Sequence, residues 1–167
     1  MDCCKVPETA SKADPALDSC RQCGAKGRRV STETMESLLK PQALARMREA
    51  AYFFDRSPDC DVVYFSNDAE SYFGKEELTV RVGIKEKDPP IPLCYCFGHT
   101  VELARAELTA TGRTTIPERI EAEIRAGNCS CEVTNPSGSC CLGEVYRAIG
   151  KIDNELSREP VGESERR

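Results

Sequence analysis

Eleven cysteines in 167 residues, most of them in close pairs, constrain this chain more than any other feature. They stand at positions 3, 4, 20, 23, 60, 94, 96, 129, 131, 140 and 141. Eleven is odd, so they cannot all pair as disulfides within one chain. The N-terminal run MDCCKVPETASKADP has neither a basic n-region nor an apolar stretch, so nothing marks it for secretion. The expected setting is cytoplasmic and reducing, where grouped thiols serve metals or catalysis rather than disulfides. With one His and three Met, thiolates are the dominant soft ligands. A net charge of −5 leaves no broad basic face to neutralise phosphates, so nucleic acid is not an expected partner. No apolar run approaches the roughly 18 residues of a membrane span, so no membrane insertion is expected. Neither a nucleotide loop nor a Ser/His/Asp set is present, and the expectation is a non-enzyme.

The cysteines fall into two groups separated between Cys60 and Cys94. In that gap Lys85 to Pro92 reads KEKDPPIP, whose prolines can continue neither a helix nor a central strand. The reading is a polar tail over 1–19, an α+β zinc-binding part over 20–87, a helical part over 88–158, and a tail over 159–167. In the first part Thr32 to Lys40 predicts a short helix stopped by Pro41, and Gln42 to Ala51 is rich in helix formers. Val62 to Phe65 is a β-prone run, and Leu78, Val80, Val82 and Ile84 alternate like a half-buried strand, for a sheet of two or three strands. In the second part Thr100 caps a helix that Gly112 closes. Thr115 with Glu118 matches a capping box, followed by Ile116, Ile120 and Ile124. From Leu142 a last helix carries Val145, Tyr146, Ile149, Ile152 and Leu156 on one face. So few short helices make a thin core that a cofactor would help to hold.

Cys20-Arg-Gln-Cys23 is a CxxC followed by Gly24, a turn that brings two thiolates to one metal. The motif also serves redox enzymes, but a polar tail before it and GAKGRR after it favour zinc. Structural zinc takes four ligands. Cys60 follows the RSPD turn as a third, and Asp55 on the other side of that turn is the candidate fourth, with Cys3, Cys4 or a water as the alternatives. Lys26, Arg28 and Arg29 form a local basic patch, either a solvated turn or a surface for an acidic partner.

Cys94-Tyr-Cys96 precedes the Thr100 helix, and the pairs Cys129/Cys131 and Cys140/Cys141 precede the last helix. Helix N-termini would then turn their unpaired N–H groups toward the thiolates. Such donors suit an anionic [2Fe–2S] cluster, while zinc held by four cysteines is the simpler alternative. The segments CYCFGHT, GRTTIPERI and CSCEVTNPSGSCCLGEV resemble the Bfd-type [2Fe–2S] module of bacterioferritin-associated ferredoxin and NifU. More broadly, Cys20 to about Ile149 resembles the N-terminal domain of the archaeal CopZ copper chaperones, through CxxC, CDVVYF, RVGIKEK, CYC and VTNPSG-x-CC. The resemblance implies a zinc-stapled sheet subdomain followed by a short helical Bfd-like subdomain.

It also implies a [2Fe–2S] cluster on Cys94, Cys96, Cys131 and Cys141, and Zn2+ on Cys20, Cys23 and Cys60, with Asp55 where the family places a cysteine. A role in copper handling follows from it as well. The family's copper domain with its MxCxxC loop has no counterpart in this sequence, which leaves Cys3 and Cys4 as candidates for Cu+. Cys129 and Cys140 remain as spare thiols near the cluster. Helix phase separately favours Cys141 over Cys140, because Cys141 lies four residues before Val145 on the inward face. His99 could ligate, hydrogen-bond to the cluster or merely precede the helix cap. The leading expectation is an iron–sulfur and zinc metallochaperone or redox accessory. Its partner would be a copper transporter, a separate copper-binding domain or a redox protein. A ferredoxin-like electron donor without cargo and a zinc-only adaptor are the alternatives.

Overall fold

The computed structural model describes residues 17–158. Cys3, Cys4 and the C-terminal tail, with the roles expected of them, lie outside the described residues. Residues 17–19, expected as tail, are part of the fold. Asp18 is buried and pairs with Lys26 at 3.1 Å, and Ser19 forms a bridge with Lys26. Lys26 is therefore half of a local ion pair although its side chain is exposed, as are those of Arg28 and Arg29.

The first part is a four-stranded antiparallel sheet of strands in sequence order: β1 (Arg28–Val30), β2 (Tyr52–Phe54), β3 (Val62–Ser66) and β4 (Tyr72–Gly74). Two short helices, α1 (Thr32–Leu38) and α2 (Pro41–Leu44), lie between β1 and β2. Every residue of β2 and β3 is buried, so both faces of the sheet are covered. Alternation along β2 sends Tyr52 and Phe54 to one face and Phe53 to the other. The first face packs on Met35, Leu39, Leu78 and Val82, forming the main core. On the second face Phe53 and Phe65 stack at 5.6 Å between centroids, and this pair packs with Cys20, Cys60 and Val62. One face of the sheet is a hydrophobic core and the other a platform for thiols.

Three local expectations are corrected. Leu78 to Ile84 is not a strand. Two 3-10 turns, Lys75–Glu77 and Gly83–Lys85, flank it, and only Leu78 makes a bridge, to Leu39. Leu78 and Val82 enter the core while Ile84 points outward, so alternation came from anchoring an irregular segment. Of Gln42–Ala51 only the start is helical, because the chain must turn to enter β2 at Tyr52, with the Ala51 N–H bonded to Asn67 Oδ1 just before it. The sheet has four strands rather than two or three, since β1 and β4, at three residues each, are too short to show a period in the sequence.

The second part holds a two-stranded ribbon, β5 (Pro92–Cys94) and β6 (His99–Thr100), then α3 (Val101–Thr111), α4 (Ile116–Arg125), α5 (Cys131–Thr134) and α6 (Leu142–Arg158). Thr100 caps α3 as expected, its hydroxyl accepting from Leu103 N, and Gly112 closes it in the left-handed region. The Thr115 side chain makes no cap bond to α4. Instead Thr114 Oγ1 accepts from Ile116 N, and Glu107 of α3 accepts from Thr115 N and Thr114 Oγ1, so the helix start is capped partly across the hairpin. Ala104, Ile116, Ile120, Val145 and Ile152 form this core, and Cys94, Cys131 and Cys141 belong to it.

The two parts are not beads on a linker. Thr34 Oγ1 donates to Glu132 O at 2.6 Å, Tyr64 Oη donates to Pro136 O at 2.7 Å, and Arg56 pairs with Glu144 at 2.6 Å. Gly138 lies so close to α1 that a Cβ there would stand 2.8 Å from Thr34 Oγ1. The α5 helix and the Asn135–Ser139 turn are thereby seated on the first part.

Candidate metal centres

The first centre sits on the thiol platform. The turn after Cys20 is closed by Gly24 N donating to Cys20 O at 2.7 Å, with Gly24 at φ +76°, and Cys20 N donates to Ala25 O. Across from it, the loop from Asp55 to Cys60 joins β2 to β3. Ligand atoms of Cys20, Cys23, Asp55 and Cys60 all lie within 4.8 Å of one another. Cys20, Asp55 and Cys60 are buried and Cys23 is exposed.

Asp55 is fully buried and held at both oxygens. Oδ1 accepts from Ser57 N at 2.7 Å and faces Lys85 Nζ at 3.5 Å, while Oδ2 accepts from the Cys23 thiol at 3.1 Å. One oxygen is thus anchored by protein and the other aimed at the sulfurs. Burial works against the charged form of Asp55, yet bonds from Cys20, Ser57 and Cys23 and the Lys85 charge hold its carboxyl below the ordinary value. Burial pushes the Cys20 thiol up to about 12, with the bond to Asp55 adding to the rise, and burial also raises Cys60. A divalent cation among these groups would favour the thiolates and remove the opposition. Three sulfurs and one carboxylate oxygen form an acceptable tetrahedral zinc set.

Sequence reasoning missed Lys85. Its side chain is fully buried, and Nζ donates to Ser57 O at 2.7 Å and Cys60 O at 3.0 Å besides facing Asp55. In the charge run KEKD nothing distinguishes it from a solvated lysine. Only the loop folded around it does.

The second centre gathers thiols from four places. Cys94 ends β5, Cys96 follows in the ribbon turn, Cys131 opens α5, and Cys141 immediately precedes α6, its carbonyl accepting from Val145 N. Cys141 hydrogen-bonds to both Cys94 and Cys131, and Cys131 Sγ lies 3.6 Å from Cys96 Sγ. The four sulfurs therefore form one chain of contacts, with Cys94, Cys131 and Cys141 buried and Cys96 half-buried. The bond from Cys141 lowers the Cys94 thiol. It also brings Cys131 down to about 5, with Cys129 and Cys96 assisting, while the bonds to Cys131 and Cys94 push Cys141 up. Polar groups other than thiols reach the cluster of sulfurs too. Ser130 N donates to Cys96 Sγ at 3.3 Å, and Thr134 Oγ1 lies 3.1 Å from the same sulfur.

Cys129 is not remote from this group. Its sulfur is 3.3 Å from that of Cys131, and Cys96, Cys129 and Cys131 lie mutually within 4.8 Å. Cys140 is half-buried and lines a cleft of about 900 Å3 between α6 and the 82–92 segment. His99 stands opposite Cys94 in the ribbon register. Burial holds its imidazole below the ordinary value, and its charged neighbours are Arg119 and Glu107.

A family model described as a zinc binding domain, zf_CopZ, matches residues 17–79, the sheet with the first centre. The copper chaperone CopZ of Archaeoglobus fulgidus is 34% identical over 128 residues, which is 77% of this chain and 60% of that protein. The X-ray structure of the Archaeoglobus fulgidus CopZ N-terminal domain superposes with a TM-score of 0.64 at 32% identity, covering 77% of this chain and 95% of that one. The chain belongs to the CopZ N-terminal domain family. Because it spans 60% of the length of the CopZ relative, the family assignment covers the domain and not the relative's whole activity. Both cysteine groups of the CopZ-type domain described above lie within one folded body, and no helix among the described residues is long and apolar enough to cross a membrane.

Proposed function

We propose that this protein is a two-centre metal-binding accessory of copper handling. In this reading Cys20, Cys23, Asp55 and Cys60 hold a structural zinc ion, and Cys94, Cys96, Cys131 and Cys141 hold a [2Fe–2S] cluster in a Bfd-like helical unit. The observation that carries the second centre is the burial of Cys94, Cys131 and Cys141 together in one hydrophobic core, joined by contact to Cys96. Four thiols in one chain of contacts inside a small core match the donor set of a cluster ligated by four cysteines. Bound there, it supplies one-electron chemistry, including reduction of Cu(II) to the Cu(I) that thiolate carriers accept.

The chain's own residues set the terms of that chemistry. The Ser130 amide and the Thr134 hydroxyl reach Cys96, and amide or hydroxyl bonds to a ligating sulfur stabilise its thiolate. Apolar packing by Ala104, Ile120 and Val145 keeps water from the inner sulfurs. The link to copper rests on the CopZ relative, and a copper transporter or a separate copper-binding domain is the proposed partner.

A cargo-free electron donor is the second reading, favoured by the cleft. It reaches Cys141, and its lining carries six Lys or Arg side chains against Glu86, Glu144 and Glu155, a net positive rim in which Arg56 and Arg147 pair with Glu144. One analysis of anaerobically purified protein for iron, labile sulfide, zinc and copper tests the proposal. Equal iron and sulfide with one equivalent of zinc are expected, and zinc alone would leave a zinc-only adaptor. Retention of added Cu(I) by the loaded protein separates a copper accessory from the plain electron donor.

A further inference from the structure

We propose that Cys129 is an exchange ligand of the second centre, able to take the position of Cys131. This rests on the cluster reading above and goes beyond it, because four cysteines already satisfy a [2Fe–2S] cluster and Cys129 is the fifth sulfur in the group. Two thiolates on one tetrahedral ion with bonds of about 2.3 Å stand about 3.8 Å apart. Cys131 Sγ has Cys96 Sγ at 3.6 Å and Cys129 Sγ at 3.3 Å, both within that edge. Cys129 is therefore one sulfur–sulfur contact from the atom it would replace, and its sulfur lies within 4.8 Å of that of Cys96.

The surroundings fit an exchange. Cys131 is 1% exposed and fixed at the start of α5, whereas Cys129 is half-buried in the loop after α4. The peptide between them is held in place, since Ser130 N donates to Cys96 Sγ. Changing one sulfur for the other thus moves a bond across a single sulfur–sulfur contact and leaves the backbone where it is. The step is a substitution without electron transfer. Cys129 gives up its thiol proton as its sulfur–iron bond forms, and Cys131 takes up a proton as its bond breaks. Cys94 makes its sulfur contact with Cys141 on the inner side of the group, and Cys140 lies along the cleft.

The test compares anaerobically purified wild type, Cys129→Ala, Cys131→Ala, Cys131→Ser and the double variant Cys129→Ala/Cys131→Ala, by iron content, visible absorption and EPR, with zinc content reporting the fold. Cys129→Ala should keep most of its iron, because Cys94, Cys96, Cys131 and Cys141 all remain. Cys131→Ala should keep most of its iron with a shifted spectrum, and the double variant should fall to about a tenth or less. Cys131→Ser should give the Cys131→Ala spectrum, because a cysteine sulfur and not the serine oxygen fills the position. Should Cys131→Ala lose zinc as well, Cys131→Ser compared with Cys129→Ala/Cys131→Ser decides the matter in the same way. Iron-loaded wild type beside a Cys131 variant as empty as its double partner overturns this proposal alone. Wild type without iron or sulfide overturns both it and the cluster reading.

Discussion

Asp55 shows how much one side chain carries at the first centre. Its backbone lies at the end of β2, and Ser57 and Lys85 fix one oxygen so that the other faces Cys23. Asp55→Ala should lower zinc affinity by at least about 10-fold, since losing a ligand costs no less than losing an outer-shell partner. Asp55→Cys should raise it, and chelator competition measures both. Lys85→Met should destabilise the protein by about 3–5 kcal/mol in denaturant titration, because it strips a buried carboxylate of its partner and leaves the Ser57 and Cys60 carbonyls without their donor. The pH dependence follows from the raised thiols. With Cys20 pushed up to about 12 and Cys60 also raised, both hold protons near neutral pH in the metal-free chain and release them on binding, while lowered Asp55 releases none. Zinc affinity should therefore rise with pH, by a factor of about ten per unit for each proton released. Affinity that stays flat between about pH 6.5 and 7.5 would contradict the assignment of Cys20 and Cys60 as ligands.

Among the elements, the 3-10 turn Gly83–Lys85 does what the sequence assigned to a strand end and a linker. Lys85 closes the first centre from its last position. From its first, Gly83 N donates to the Tyr95 hydroxyl at 2.8 Å, and Tyr95 lies between Cys94 and Cys96. One turn therefore touches the loops of both centres. A Cβ at Gly83 would stand 2.0 Å from the Pro92 carbonyl oxygen, which only a shift of β5 relieves. Gly83→Ala should cost about 1–3 kcal/mol. Gly143→Ala, whose Cβ would meet only the tip of Arg147 at 3.8 Å, should cost far less. Thermal denaturation of the two variants gives the comparison.

Over the whole molecule the two centres share one body but not their ligands. Cys94→Ala should remove iron and spare zinc, and Cys20→Ala should remove zinc and spare iron, by metal analysis under anaerobic conditions. Loss of both metals from either variant would show one merged site. The division into two cysteine groups was legible in the sequence because spacing along the chain limits which thiols can meet. CxxC and CxC force neighbours together whatever the fold. The helices from Thr100 and Leu142 were legible for a similar reason, since each carries a strong cap or an apolar stripe long enough to show its period. What the tertiary structure alone decided is how distant segments converge. Asp55 meets Cys20 and Cys23 directly, its other oxygen faced by a buried lysine that reads as surface charge, and Cys129 meets Cys131 beside Cys96. The β1 and β4 strands exist only by pairing, and α1 receives α5 through Thr34 and Glu132. Those contacts join residues far apart in the chain, so their energy appears only once the sheet and helices have brought both partners into place, and no local pattern records it.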